Sequence, residues 1–240
     1  MVNTIDLLAI GAHPDDVELS ASGTLLRHAE AGYRTGIIDL TEGELGTRGT
    51  AETRRRESAA AAEILGVAFR ENMGFRDGFF QNDEEHQLAL IKVLRKYRPT
   101  IVLANAITDR HPDHGRAAAL VRDAVFLAGL AKIETSLDGQ KQEAFRPQHC
   151  FHYVQSLDIA PDFVVDISDF MEQKLASIKA YATQFYNPDS KEATTFISTP
   201  EFLEFVRARA VHHGVPAGCR YAEAFTASRP VAVKDLFSFR

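Results

Sequence analysis

The chain has 240 residues, with 27 Lys and Arg against 33 Asp and Glu, and so a formal charge of −6. That mild acidity excludes a general nucleic-acid binder, whose affinity rests on many phosphate-facing cations. A hydrophobic share of 45% with 25% charged residues is that of a soluble globular chain that can bury a core without staples.

No apolar run approaches the roughly 20 residues that span a bilayer, so no membrane partner is expected. Met1-Val2-Asn3-Thr4-Ile5-Asp6 carries no cationic leader. The only cysteines, Cys150 and Cys219, lie outside any C-x-x-C pair and read as the reduced thiols of a cytoplasmic protein.

Taken in order, Thr4 to Ile10 reads as a buried strand ending at Gly11. A helical stretch opens at Ser20 and closes at Gly32. Thr35 to Leu40 is a second strand, and Thr41 to Thr50, with three glycines, is a loop. Ala51 to Leu65 is a helix stopped by Gly66, and Phe69 to Phe75 a weak strand. Glu84 to Tyr97 repeats Leu88, Ile91 and Leu94 on one helical face; Pro99 ends it, and Thr100 to Ala106 is the next strand.

A helix follows over His114 to Leu130. The alternation of strand and helix predicts an α/β fold, a Rossmann-like three-layer α/β/α sandwich with a mostly parallel sheet. Beyond it, Cys150 to Ser156 and Phe163 to Ile167 read as strands, Phe170 to Phe185 and Pro200 to His212 as helices, and Leu137 to Pro147 as a polar surface loop. No linker is visible, so residues 1–240 are expected to form a single domain.

Two segments carry chemistry. The first strand runs into Gly11-Ala12-His13-Pro14-Asp15-Asp16-Val17-Glu18, and the fourth into Thr108-Asp109-Arg110-His111-Pro112-Asp113-His114. Ligands of open α/β sheets bind past the carboxyl ends of strands. Ionisable groups crowded at that edge are costly unless a cation compensates them, and imidazole with carboxylate suits Zn²⁺. A catalytic zinc takes three protein ligands and leaves a position for water, with a further carboxylate free to act as general base.

These residues match a known pattern. A-H-P-D-D-x-E at 12–18, Gly43-Glu44-Leu45-Gly46-Thr47-Arg48-Gly49, Arg54-x-x-Glu57 and H-P-D-H at 111–114 stand in the order found in LmbE-like (PIG-L-like) zinc N-deacetylases, which the sequence resembles. Phe185-Tyr186-Asn187-Pro188-Asp189-Ser190-Lys191 and Tyr221-Ala222-Glu223-Ala224-Phe225 look most like the bacillithiol-biosynthesis branch, which removes acetate from N-acetylglucosaminyl-malate. The resemblance implies His13, Asp16 and His114 as ligands of one zinc per chain, with Fe²⁺ or another divalent ion as an alternative. It makes Asp15 the base that activates the water, His111 the neighbour of the scissile carbonyl and Asp113 the residue that orients His111. A protonated His111 would need such a carboxylate neighbour to keep its charge.

Arginines would hold the substrate: Arg54 on its helix and Arg110 beside His111, suited to the carboxylates of malate. The partner implied is a small amino sugar, with homo-oligomers common among relatives; Phe202, Leu203 and Phe205 offer either an interface or core packing.

Plainer readings stand beside these. His-Pro-Asp-Asp alone could be a capped turn. Glu18 is either a brace of the metal loop or a solvated helix residue. His28, His86, His149 and His152 have no partner motif, whereas His212-His213 could reach a pocket; Tyr186 and Tyr221 are open alternatives for a carbonyl-polarising tyrosine. A metal-stabilised sugar-binding module would leave Asp15 and His111 without a task. A nucleotide binder would need the G-x-G-x-x-G or P-loop pattern that residues 43–49 lack.

Overall fold

A computed structural model describes residues 4–238; Met1 to Asn3, part of the N-terminal segment read above for a leader, lie outside the described residues. Strands β1 (Leu7–Gly11), β2 (Thr35–Thr41), β3 (Arg70–Phe75), β4 (Ile101–Ala104), β7 (His149–Tyr153), β8 (Phe163–Asp166) and β9 (Ala222–Ala227) form one sheet in the order β3-β2-β1-β4-β7-β9-β8. The pairs β2–β3, β1–β2, β1–β4 and β4–β7 are parallel, and β9 runs antiparallel to both its neighbours. The mostly parallel sheet expected from the sequence is present. A small hairpin, β5 (Ser136–Leu137) and β6 (Gln140–Lys141), begins one residue ahead of the 137–147 segment read as a polar surface loop and runs into it.

Strand β1 is buried at all five residues, as a central parallel strand must be when both sheet faces are covered. Its alternate side chains separate two cores. Leu8 and Ile10 join Leu90, Ile91 and Leu94 of α4 (Glu84–Tyr97) and Leu120 and Val121 of α5 (Pro112–Ala128). Leu7 and Ala9 join Val17 of α1 (Asp16–Ser20) and Leu25 and Leu26 of α2 (Ser22–Glu30). A third core gathers Ala61 of α3 (Ala51–Leu65), Leu175 of α6 (Met171–Lys179), Val206 of α7 (Pro200–Gly214), and Tyr181 and Phe185 beyond α6. Phe202 and Leu203 belong to this core, while Phe205 is 41% exposed.

Several boundaries differ from the sequence reading for physical reasons. The first helix starts at Asp16 and breaks at Ala21, so the metal-motif residues lead directly into α1. The helix expected to reach Phe185 ends at Lys179, because Tyr181 and Phe185 turn into the third core. Strand β9 is absent from the sequence reading: Ala-Glu-Ala-Phe-Thr-Ala shows little β-branching, and its buried Glu223 faces Lys174.

Gly23 shows how tightly α2 sits. A Cβ there would lie 2.7–2.8 Å from three side-chain atoms of the fully buried Ile167. Gly23→Ala should gain about 1 kcal/mol of helix propensity yet lose more to overpacking, typically about 1–3 kcal/mol. Net destabilisation in urea denaturation is the expected result; net stabilisation would mean that α2 can move freely away from Ile167.

Candidate active site and metal centre

Chain order places β2 on one side of β1 and β4 on the other, so the connections diverge between β1 and β4. That topological switch point is where open α/β sheets bind ligands. Both chemistry-bearing segments leave the sheet there, and the Ala12 N–H donates to Asn105 Oδ1 at 2.9 Å, joining the two strand ends. A cavity of about 380 Å³ opens above, lined by His13, Asp15, Asp16, Arg110, His111 and His114, among others.

Asp15 occupies the N-cap position of α1, with φ 118° and ψ −23°, but its side chain makes no capping bond. It receives Arg54 Nη1 at 3.0 Å instead, and the same nitrogen donates to Pro14 O at 2.5 Å. Arg54 Nη2 donates to Gln184 Oε1 at 2.9 Å. A positive φ is uncommon outside glycine, though Asp and Asn tolerate it best. Arg54 therefore fixes both the unusual peptide and the carboxylate it presents. Burial pushes the Asp15 carboxyl up to about 7 against the pull of Arg54, with Asp16 adding to the rise.

Of the three expected ligands, His13 and His114 each approach Asp16. His13 Nδ1 lies 3.6 Å from Asp16 Oδ2, and His114 Nε2 lies 3.1 Å from Asp16 Oδ1. Tetrahedral zinc with ligand bonds near 2.1 Å spaces its donors about 3.4 Å apart; both imidazoles stand near that range from Asp16, though on different oxygens of it, and the imidazole and carboxylate donors suit a divalent ion. Among the described residues, the sets whose donor atoms all lie within 4.8 Å of one another are His13, His111 and His114, and His13, Asp77 and Asp113. Burial pulls His114 down, but Asp16 and Asp109 outweigh it and raise it to about 9.

Asp113 departs from the role that the resemblance gives it. Its carboxylate turns to His13 Nε2 (3.3 Å), the Gly78 N–H (2.8 Å) and Arg116 Nη1 (2.5 Å). Burial opposes its ionisation, yet these partners hold it down at about 2. What reaches His111 is the Asp113 main-chain N–H, which donates to Nδ1 at 3.3 Å across the N-cap of α5. With Nδ1 accepting, a neutral ring carries its proton on Nε2. Burial, then the neighbouring imidazoles of His13 and His114, lower the His111 pKa, which runs against the imidazolium that the resemblance implies.

Other expectations resolve as follows. Arg110 borders the cavity over the Phe196 ring (4.8 Å) and makes no ion pair among the described residues. Glu18 is neither solvated nor aimed at the metal site; it is fully buried against Arg70 and Tyr181. His213 borders a small separate void, and His212 lies 3.7 Å from Asp158. Tyr221 accepts from Arg207 and Tyr186 is 45% exposed; neither borders the main cavity. Part of one wall is Thr195, Phe196 and Ile197, whose segment is tied down by Arg48 on Ser190 (2.6 Å) and by the Gly49 N–H on Glu192 (2.8 Å).

Sequence reasoning did not identify Asp77, Asn105, Asp109, Gln155, Gln184 or Arg209 as site residues. Asp77 Oδ1 lies 3.1 Å from His13 Nε2, and its Oδ2 accepts the Leu45 N–H at 3.0 Å, joining the glycine loop to His13. Only Asp109 carried a local signal, within the second motif's run.

Residues 8–125 match the PIG-L (GlcNAc-PI de-N-acetylase) family model. The chain is 32% identical over 232 residues to a diacetylchitobiose deacetylase of Thermococcus kodakarensis, covering 90% of this chain and 80% of that protein. It is 26% identical to a probable N-acetyl-alpha-D-glucosaminyl L-malate deacetylase 2 of Bacillus anthracis, covering 77% and 84% respectively. The crystal structure of the conserved protein TT1542 from Thermus thermophilus superposes with a TM-score of 0.86 at 40% identity, over 97% of this chain and 99% of that one. The chain belongs to the PIG-L family of metal-dependent de-N-acetylases and is a deacetylase.

Proposed function

We propose that the protein hydrolyses the N-acetyl group of an N-acetylglucosaminide, releasing acetate and the free amine, with N-acetylglucosaminyl-malate of bacillithiol biosynthesis as its substrate. The observation that carries the reaction is the convergence of His13, Asp16 and His114 at the switch point, with Asp15 on the same cavity but outside that ligand set. Those three residues would hold one zinc, or Fe²⁺ in its place. When bound, such an ion polarises the amide carbonyl and acidifies water.

Asp15 takes the proton of the attacking water and returns it to the leaving nitrogen. Arg54 acts on the substrate through Asp15, since its terminal nitrogens are engaged by Asp15, Pro14 and Gln184. His111 presents its Nε2–H to the carbonyl oxygen, held by the Asp113 N–H, while the Asp113 carboxylate steadies His13.

Arg110 supports the malate reading, because a guanidinium on the cavity wall with no ion pair among the described residues suits a substrate carboxylate. The similarity to a diacetylchitobiose deacetylase favours a second reading, with a neutral sugar as aglycone. Acetate release from the malate glycoside, diacetylchitobiose and plain N-acetylglucosamine, each with and without a chelator, separates them. The malate glycoside should be fastest, and Arg110→Ala should lower its kcat/KM by about 10- to 100-fold while sparing diacetylchitobiose. Faster release from diacetylchitobiose would overturn the malate reading. Release that a chelator leaves untouched would overturn the metal assignment.

Among the described residues no helix is long and apolar enough to cross a membrane. A cytoplasmic, single-domain protein forming homo-oligomers completes the proposal. One sheet joining elements from β1 to β9 supports the single domain, and sedimentation would measure the assembly.

A further inference from the structure

The expected metal ligands lie within residues 13–114, but much of what aims them comes from further along the chain. Each oxygen of Asp16 meets a primary amide: Asn105 Nδ2 donates to Oδ2 at 3.0 Å, and Gln155 Nε2 donates to Oδ1 at 3.1 Å. The two amides also fix each other. Asn105 Nδ2 and the Ala106 N–H both donate to Gln155 Oε1, at 3.1 and 3.0 Å, and Asn105 Oδ1 accepts the Ala12 N–H. Flipping either amide would set donor against donor, so both orientations are determined.

The second imidazole is aimed from the same place. Asp109 Oδ2 lies 2.5 Å from His114 Nδ1, and Asp109 Oδ1 accepts the Leu157 N–H at 2.8 Å. Gln155 and Leu157 sit on one loop after β7. Arg209 of α7 fastens that loop to α1, donating to Gln155 O and to Leu19 O.

We infer that Asn105, Asp109 and the 155–157 loop form a positioning frame that sets the divalent-ion affinity of this site. The inference rests on the assignment of His13, Asp16 and His114 as ligands. Two features distinguish the frame from ordinary packing. The donors to Asp16 from this frame are neutral amides, which offset the desolvation of a buried carboxylate without cancelling its charge and so leave that charge for a cation. Asp109 engages His114 Nδ1, which fixes the ring so that Nε2 is the nitrogen turned to Asp16 and the cavity.

Competition titration of Zn²⁺ against a chromophoric chelator tests it, on the full chain and on Gln155→Met, Asp109→Leu and Asp109→Asn. The wild type should bind one ion per chain. Gln155→Met and Asp109→Leu should each weaken binding by about 10- to 100-fold. Asp109→Asn keeps an oxygen that can accept from Nδ1–H, so it should recover most of the loss. Urea denaturation of the metal-free chains supplies the readout for a merely structural role: their midpoints should stay close to wild type, while the Zn²⁺-induced rise in midpoint shrinks. Variants that bind Zn²⁺ within about two-fold of wild type would overturn the frame. So would a loss of metal-free stability large enough to account for the weaker binding. A wild type that binds no ion would overturn the ligand assignment and the frame together; a wild type that binds beside unaltered variants would overturn the frame alone.

Discussion

Asp15→Asn is expected to lower kcat by about 10²- to 10⁴-fold, the usual worth of a positioned general base, with KM and bound metal nearly unchanged. The substitution isolates the proton-transfer role. Asn is the side chain best able to keep the φ of 118°, and its amide oxygen can still accept from Arg54 Nη1 at the position Asp15 Oδ2 now holds. None of the three expected ligands is touched, so elemental analysis should find the wild-type metal content. What disappears is the capacity to take a proton from water. A kcat within a few-fold of wild type would remove Asp15 from the reaction. Loss of metal in parallel with loss of rate would instead make Asp15 part of the ligand shell.

Arg70→Met should cost about 3–5 kcal/mol, the range for leaving buried charge without its partner. Arg70 Nη1 lies 2.5 Å from Glu18 Oε1, while Nε and Nη2 meet the two oxygens of Asp39 at 2.7 and 2.8 Å. Glu18 is fully buried and Asp39 is 2% exposed, so water cannot replace the guanidinium without opening the sheet edge. Domain stabilities are about 5–15 kcal/mol, and a loss of this size should be plain in urea denaturation. Burial already raises the Asp39 pKa with Arg70 in place. Removing the cation raises it further, and a carboxyl whose folded value is raised favours folding more as pH falls. The deficit relative to wild type should therefore shrink at low pH. Replacing Glu18, Asp39 and Arg70 together by apolar residues of similar volume should restore much of the loss. A loss below about 1 kcal/mol for Arg70→Met would place the two carboxylates in contact with water.

What the sequence revealed and what it hid follow from the range of the contacts. His13, Asp15 and Asp16 are nearly adjacent, and His111 and His114 span one helical turn, so local spacing exposes them. Parallel strands read directly from runs such as Leu-Leu-Ala-Ile, because burial on both faces removes polar residues from them. Gln155 and Gln184 are isolated glutamines without a surrounding pattern. Their partners, Asp16 and Arg54, lie 139 and 130 positions away. Glu223 is hidden for a related reason: its carboxylate caps the start of α2 through the Gly23 and Thr24 N–H groups while pairing with Lys174, so a charge stands inside a strand that composition alone would not identify. Asp113 shows the limit of motif transfer. Its position was legible, but which histidine its carboxylate serves depends on where Gly78 and Arg116 stand.

Thr195, Phe196 and Ile197 border the cavity from a segment, 187–199, that contains no strand or long helix and is moored through Ser190 and Glu192 to Arg48 and Gly49. The floor beneath it is built into the sheet. The rim and the floor of the cavity thus sit on parts of the chain with different tolerance to insertion and drift. Sequence change in that rim can reshape the cavity mouth while the segments leaving β1 and β4 that carry His13, Asp16 and His114 stay as they are.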